Sequence, residues 1–149
     1  FNMRSAGSHL DFDLTLAAEQ SNENPVFYVQ YAHARICSIL RLLEEEGVRV
    51  LPYAQIRPEL LKEEAELDLL KKLSDLPGEI ESAARALEPA RITRYVMELA
   101  ACFHTFYTAC RVKVEDRDLM NARLKLIDST RIVLKGVLTM LKITAPEKM

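Results

Sequence analysis

Tyr28, Tyr31 and Arg35 follow one another at steps of three and four residues in the stretch 25-PVFYVQYAHARICSIL-40. At about 100° per residue they share one side of a helix. That side is roughly 100° from the apolar stripe of Val29, Ala32, Ile36, Leu40 and Leu43. Aromatic rings beside a guanidinium plane suit two kinds of contact. They can stack unpaired bases of single-stranded RNA while the arginine meets a phosphate. They can equally anchor a protein–protein interface, where tyrosine and arginine are enriched. Residue chemistry alone leaves these two readings level, against the commoner role of tyrosines that close a bundle edge with their hydroxyls in water.

Other candidate chemistry is weaker. His33 and Cys37 are four residues apart and share a helix side, the spacing of a thiolate–imidazole pair, but amphipathic helices produce that spacing routinely. His9, His33 and His104 have no second His or Cys at metal-ligand spacing. Gly7, Gly47, Gly78 and Gly136 are too dispersed for a phosphate-binding loop. The acidic run Glu63-Glu64-Ala65-Glu66 reads as a solvated helix face. Asp11 and Asp13 read as exposed or capping residues.

Helices must position these residues. Asp13 can cap a short helix through Leu14 and Ala18, and the loop 21–24 precedes a longer one that starts at Pro25 and stops at Gly47. Two acidic helices are expected next. The first spans about 59–75 with Leu60, Leu67, Leu70 and Leu73 inward. Pro77-Gly78 separates it from the second, with Ile80, Ala84 and Leu87 inward. A long helix over 90–110 places Ile92, Val96, Leu99, Phe103, Phe106 and Cys110 on one face, with Tyr95 packing beside it. Cys102 falls on the same apolar side. A last helix from about Arg117 to Leu141 turns Leu119, Ile127, Thr130, Leu134, Val137 and Leu141 inward. No alternating strand pattern emerges. The expected class is all-α, a bundle of about five or six helices.

The chain has 149 residues, 49% of them hydrophobic, which is enough for one domain with a real core. No apolar run is long enough to span a bilayer. An odd count of three cysteines with no C-x-x-C spacing argues against a disulfide framework or a zinc site, and favours a reducing, cytoplasmic setting. The net charge of −2 conceals an asymmetry: residues 44–88 carry 12 acidic and 6 basic side chains, residues 89–149 carry 6 and 11. A basic C-terminal part suits a polyanion, although two solvated faces of opposite sign would look the same. Arg117, Arg123, Lys125 and Arg131 are the candidate phosphate contacts on the last helix. Phe1 is an unlikely natural start, so a piece of a longer chain is expected.

Larger strings carry a resemblance. The stretch 8-SHLDFDLTLAAEQSNENPVFYVQYAHARICSIL-40 resembles the junction between the catalytic domain and the helical anticodon-binding domain of bacterial arginyl-tRNA synthetases. The stretch 92-ITRYVMELAACFHTFYTACRV-112 looks like the second long helix of that domain. The stretch 122-ARLKLIDSTRIVLKGVLTMLKITAPEKM-149 looks like its terminal helix and closing A-P-E-[RK]-M. A related synthetase such as the cysteine enzyme also has a helical anticodon domain, but Q-Y-A-H-A-R and A-P-E-K-M favour arginine.

The resemblance implies a parent enzyme that joins arginine to its tRNA with ATP and magnesium, through an arginyl-adenylate. No H-I-G-H-like or K-M-S-K-S-like string is present here. The fragment is therefore expected to be inactive alone and to hold no cofactor of its own. Residues 1–20 would be a stub of the junction and 21–149 the anticodon-binding domain. The implied partners are the anticodon loop of arginine tRNA and the parent's catalytic domain, with no membrane or DNA partner. By the same resemblance, the anticodon contacts would fall on Tyr28, Tyr31 and Arg35, on the loop residues Asn22 and Asn24, on Tyr107 and on Met149. Met149 qualifies if it is the natural C-terminus. A helical protein-interaction domain remains the alternative.

Overall fold

The computed structural model describes residue 21 and residues 23–149. The expected helix after Asp13, the junction stub 1–20 and Asn22 lie outside the described residues. Among the described residues there are five α-helices, two 3-10 turns and no strand. The helices are α1 (Pro25–Glu45), α2 (Glu64–Ser74), α3 (Leu76–Ala86), α4 (Ala90–Ala109) and α5 (Arg117–Met140), with 3-10 turns at Tyr53–Gln55 and Pro58–Leu60 between α1 and α2.

Local chemistry fixes the ends of α1. The Asn24 side chain accepts from the Val26 amide at 3.0 Å, and Pro25 occupies the first turn, where its missing N–H costs nothing. At the far end Gly47 takes φ +82, the left-handed value that glycine adopts without strain. The Val48 amide then donates back to the Leu43 carbonyl at 2.8 Å.

Helix α4 is the hub. It packs against each of the other four helices, and its Ile92, Val96, Leu99, Phe103 and Phe106 are buried. Fully burying such a side chain stabilises by about 1.5–3 kcal/mol, so this one stripe holds the bundle together. The α1 stripe meets it through Val29, Ala32, Ile36 and Leu43, with Leu40 half-buried. On α5, Ile127, Thr130, Leu134 and Val137 are buried, and Leu119 and Leu141 are partly so. Tyr95 is 2% exposed, and its hydroxyl donates to the Lys72 carbonyl at 3.1 Å. Cys110 is buried, whereas Cys102 is half-buried at the core's edge.

The acidic middle departs from the sequence expectation. Helix α2 begins at Glu64 rather than near 59, because Pro58 starts a separate 3-10 turn. Its buried residues are Glu66 and Leu69, while Leu67 and Leu70 are 48% and 43% exposed. A carboxylate has displaced leucines from the inner face. Glu66 is not solvated as the acidic run suggested: it is 0% exposed. One of its oxygens accepts the backbone amides of Lys62 and Glu63 at 2.8 and 2.9 Å. The other accepts from Arg123 Nε at 2.6 Å, and Arg123 also donates to the Arg111 carbonyl at 2.7 Å. Neither side chain leaves a buried polar atom without a partner, which is the condition for burying charge.

Pro77-Gly78 does not separate the two helices but lies in the first turn of α3, where a proline is tolerated. Ala83 is the residue α3 buries, with Leu76 half-buried beside the core. Ile80 and Leu87 are 37% and 86% exposed, and Ala84 is exposed.

Candidate nucleic-acid interface

The tyrosine–arginine flank of α1 closes on the edge of α4. Tyr28 and His104 have ring centroids 4.8 Å apart at 53°, and Tyr31 lies over His104 at 5.9 Å and 23°. Phe103 supports the base of the group, 5.5 Å from His104 and 6.1 Å from Tyr107. Arg35 bridges the helices. Its Nη1 donates to the Tyr31 hydroxyl at 2.6 Å, and its guanidinium carbon sits 4.1 Å from the Tyr107 centroid. The result is a row of π faces and one delocalised cation, a geometry that favours stacking of planar groups and cation–π contact.

The row is held by the core yet open at its rim. Tyr31 is half-buried and Tyr107 is 36% exposed. Burial pushes the His104 imidazole below its usual value, and the Arg35 charge adds to this, so the ring is neutral near pH 7. Burial raises the Tyr28 phenol, which keeps it protonated. Arg35 Nε and His104 Nε2 are buried without a hydrogen-bond partner among the described residues, two unmet polar atoms at the centre of the cluster.

The sequence-derived site residues are placed as follows. Tyr28, Tyr31, Arg35 and Tyr107 come together. Asn24 lies at the entrance of α1 and its side-chain oxygen serves as the helix cap. The loop before it is turned by Asn24 N–H to the Ser21 carbonyl at 3.0 Å. Asn22 lies outside the described residues. Met149 is 53% exposed at the end of a strap formed by residues 141–149. Gln30 Nε2 donates to the Thr144 carbonyl at 2.9 Å, and His33 Nδ1 donates to the Pro146 carbonyl at 2.8 Å. These residues project roughly 160° round α1 from the tyrosines. No described contact links Met149 to the rings.

Sequence reasoning passed over His104, although its place between Phe103 and Tyr107 put it in the same aromatic row. The basic residues of α5 also sort differently. Arg123 is consumed by Glu66 and is no phosphate contact. Arg131 donates twice to Asp128, at 3.0 and 2.7 Å, and Lys125 stands 4.0 Å from the same carboxyl group. Arg117 is exposed.

His33 and Cys37 are adjacent, with Sγ 3.8 Å from either ring nitrogen. Burial lowers the imidazole and raises the thiol, so the pair is a neutral thiol against a neutral ring rather than an activated nucleophile. Among the described residues no group of three or more His, Cys, Asp and Glu is placed to hold a metal ion, and no helix is long and apolar enough to cross a membrane.

A helical bundle that opens an aromatic–arginine row at its rim defines a module that binds through stacking and cation–π contact, and comparison with known proteins separates its RNA reading from its protein reading. Residues 29–149 match the DALR anticodon binding domain family, and the chain belongs to that family. It is 60% identical over 149 residues to the arginine–tRNA ligase of Ruminiclostridium cellulolyticum and 58% identical to that of Acetivibrio thermocellus. All of this chain is covered in both cases, and 26% of each relative. The chain thus spans about a quarter of the length of the curated relatives it matches. The arginyl-tRNA synthetase of Thermus thermophilus superposes with a TM-score of 0.81 at 29% identity, over 99% of this chain and 25% of that one. These matches favour nucleic-acid recognition over the protein-interaction alternative.

Proposed function

We propose that this chain is the domain with which an arginine–tRNA ligase reads the anticodon loop of arginine tRNA. The observation that carries the proposal is the row of Tyr28, Tyr31, Arg35 and Tyr107 between α1 and α4 in a member of an anticodon-binding family. An anticodon loop is single-stranded, so its bases can be unstacked and received by the rings, while loop amides at Asn22 and Asn24 read base edges. Arg35 supplies a guanidinium plane or a phosphate contact. Met149 serves as a separate contact, reached from the strap side of α1. Residues 1–20 form the connection to the parent's catalytic domain and 21–149 the reading domain.

The parent joins arginine to its tRNA with ATP and magnesium in the cytoplasm. No residue of this chain is assigned to that chemistry, and no group among the described residues fits a metal. Its contribution is to bind and orient the RNA.

The test is a fluorescence titration with an arginine anticodon stem-loop beside a second-position anticodon mutant, at two salt concentrations. The arginine loop should be preferred and its binding should weaken with salt. Tyr31→Ala should cost about 1–3 kcal/mol of binding, the worth of one base–aromatic stack, with unchanged helicity. Equal binding of both loops, or an unaltered Tyr31→Ala affinity, would sink the assignment.

A further inference from the structure

On the strap side of α1 lies a pocket of about 420 Å³, walled by α1, residues 48–50, α5 and the strap. Three arginines converge on it: Arg41, Arg49 and Arg131. We propose that this pocket binds a phosphate group. Where that phosphate belongs to RNA, the inference rests on the anticodon-reading function above and extends it to the opposite flank of α1.

The three guanidinium groups are available to different degrees. Arg41 is exposed and makes no ion pair or hydrogen bond among the described residues. Arg49 has only Glu44 near it, at 3.7 Å, with both side chains mostly exposed. Such a contact is worth little in water and is readily exchanged for a phosphate oxygen. Arg131 is different. Its Nε and Nη2 are fixed on Asp128, which orients the guanidinium at the pocket wall and leaves Nη1 without a partner among the described residues. A held arginine flanked by two exposed ones matches the planar, multidentate geometry with which guanidinium groups take up phosphate.

The local charge favours an anion. Glu44 and Glu147 line the pocket and Asp128 stands behind it, three carboxylates against Arg41, Arg49, Arg131, Lys125 and Lys135. Glu147 lies 4.0 Å from Lys135 and is 69% exposed in its side chain. The strap carries it there because Gln30 and His33 tie down the residues just before it. The remaining walls, Leu40, Val48 and Leu124 among them, are apolar and suit the carbon skeleton of a sugar. Arg41 is six residues beyond Arg35, about 9 Å along the helix axis and roughly 120° round it, so an RNA backbone that joins the two sites has to pass round α1.

The test compares Arg41→Gln and Arg49→Gln with the unaltered chain in two titrations, one with the arginine anticodon stem-loop and one with inorganic phosphate. If the phosphate is the RNA's, each variant lowers stem-loop affinity about three- to tenfold at low salt and reduces the slope of log K against log salt by about 0.7. Glu147→Gln then tightens binding. Tyr31→Ala, in contrast, lowers affinity without changing the slope. If the phosphate is a free one, inorganic phosphate shifts the arginine side-chain NMR signals of the unaltered chain, both substitutions abolish the shift, and stem-loop affinity is unchanged. Variants that match the unaltered chain in both titrations overturn the proposal. A chain that takes phosphate but no stem-loop would refute the anticodon reading and leave the pocket standing.

Discussion

Arg35 stands where a planar ligand would stand. Its guanidinium covers one face of Tyr107 at 4.1 Å while it donates to the Tyr31 hydroxyl. A base that stacks on that face of Tyr107 must displace it, and the displaced cation is then free to follow the incoming phosphate. His104 and His33 add a dependence on pH. Burial holds both imidazoles below the usual value of 6.5, so at mildly acidic pH the unfolded chain binds protons that the folded chain refuses. Stability therefore rises with pH in this range. The histidine contribution is fully present above about pH 6.5 and is lost as pH falls below it toward the lower folded values. Thermal melts at pH 7.5 and 5.5 should show a lower Tm at the acidic value. The drop should shrink in His104→Gln and His33→Gln, and an equal drop in both variants would contradict the assignment.

At the scale of elements, the long helices were legible and the acidic pair was not. For α1 the apolar period, the Pro25 start and the Gly47 stop agree with one another, and the buried stripes of α1 and α4 are largely those the spacing predicts, whereas α5 also buries Met120, Leu124, Leu126 and Leu138 and leaves Leu119 and Leu141 half-buried. In α2, periodicity pointed to Leu67 and Leu70, while the inner face is set by Glu66. Its burial depends on Arg123, 57 residues away, and no local pattern carries that information. In α3 the helix turns only Ala83 and Leu76 inward, leaving Leu87 86% exposed at its C-cap with φ +54. A branched aliphatic residue there bears the cost of the left-handed region, about 1–2 kcal/mol, and gains almost no burial. Leu87→Gly should raise the urea midpoint by an amount equal to roughly 1 kcal/mol. A lowered midpoint would mean that the exposed side chain contributes something its contacts do not reveal. The candidate site divides along the same line. Tyr28, Tyr31 and Arg35 were visible because they share one helix. Resemblance added Tyr107, and the placement of His104 between them required the α1–α4 packing.

For the whole molecule, the Glu66–Arg123 pair fastens the acidic half to the basic half. Helix α2 fully buries only Leu69 among its leucines, and this link joins Leu69, the half-buried Ala65 and Leu73, and the Tyr95–Lys72 hydrogen bond in fixing it on the bundle. Breaking a buried pair on one side leaves the other charge stranded, which costs about 3–5 kcal/mol. Arg123→Ala should lose that much in chemical denaturation, and the double replacement Glu66→Leu with Arg123→Met should recover most of it. A single-variant loss under about 1 kcal/mol would show that the pair is solvated in solution. The strap has a different kind of consequence, one in time. Gln30 and His33 bond to residues 114 and 113 positions later. A ribosome adding about 5–20 residues per second needs roughly 6–23 s to make that length of chain. For that interval a nascent α1 lacks its strap, and for about the first two-thirds of it the hub helix is incomplete as well. Its apolar stripe and its tyrosines then emerge together on one segment without the packing that later covers the stripe.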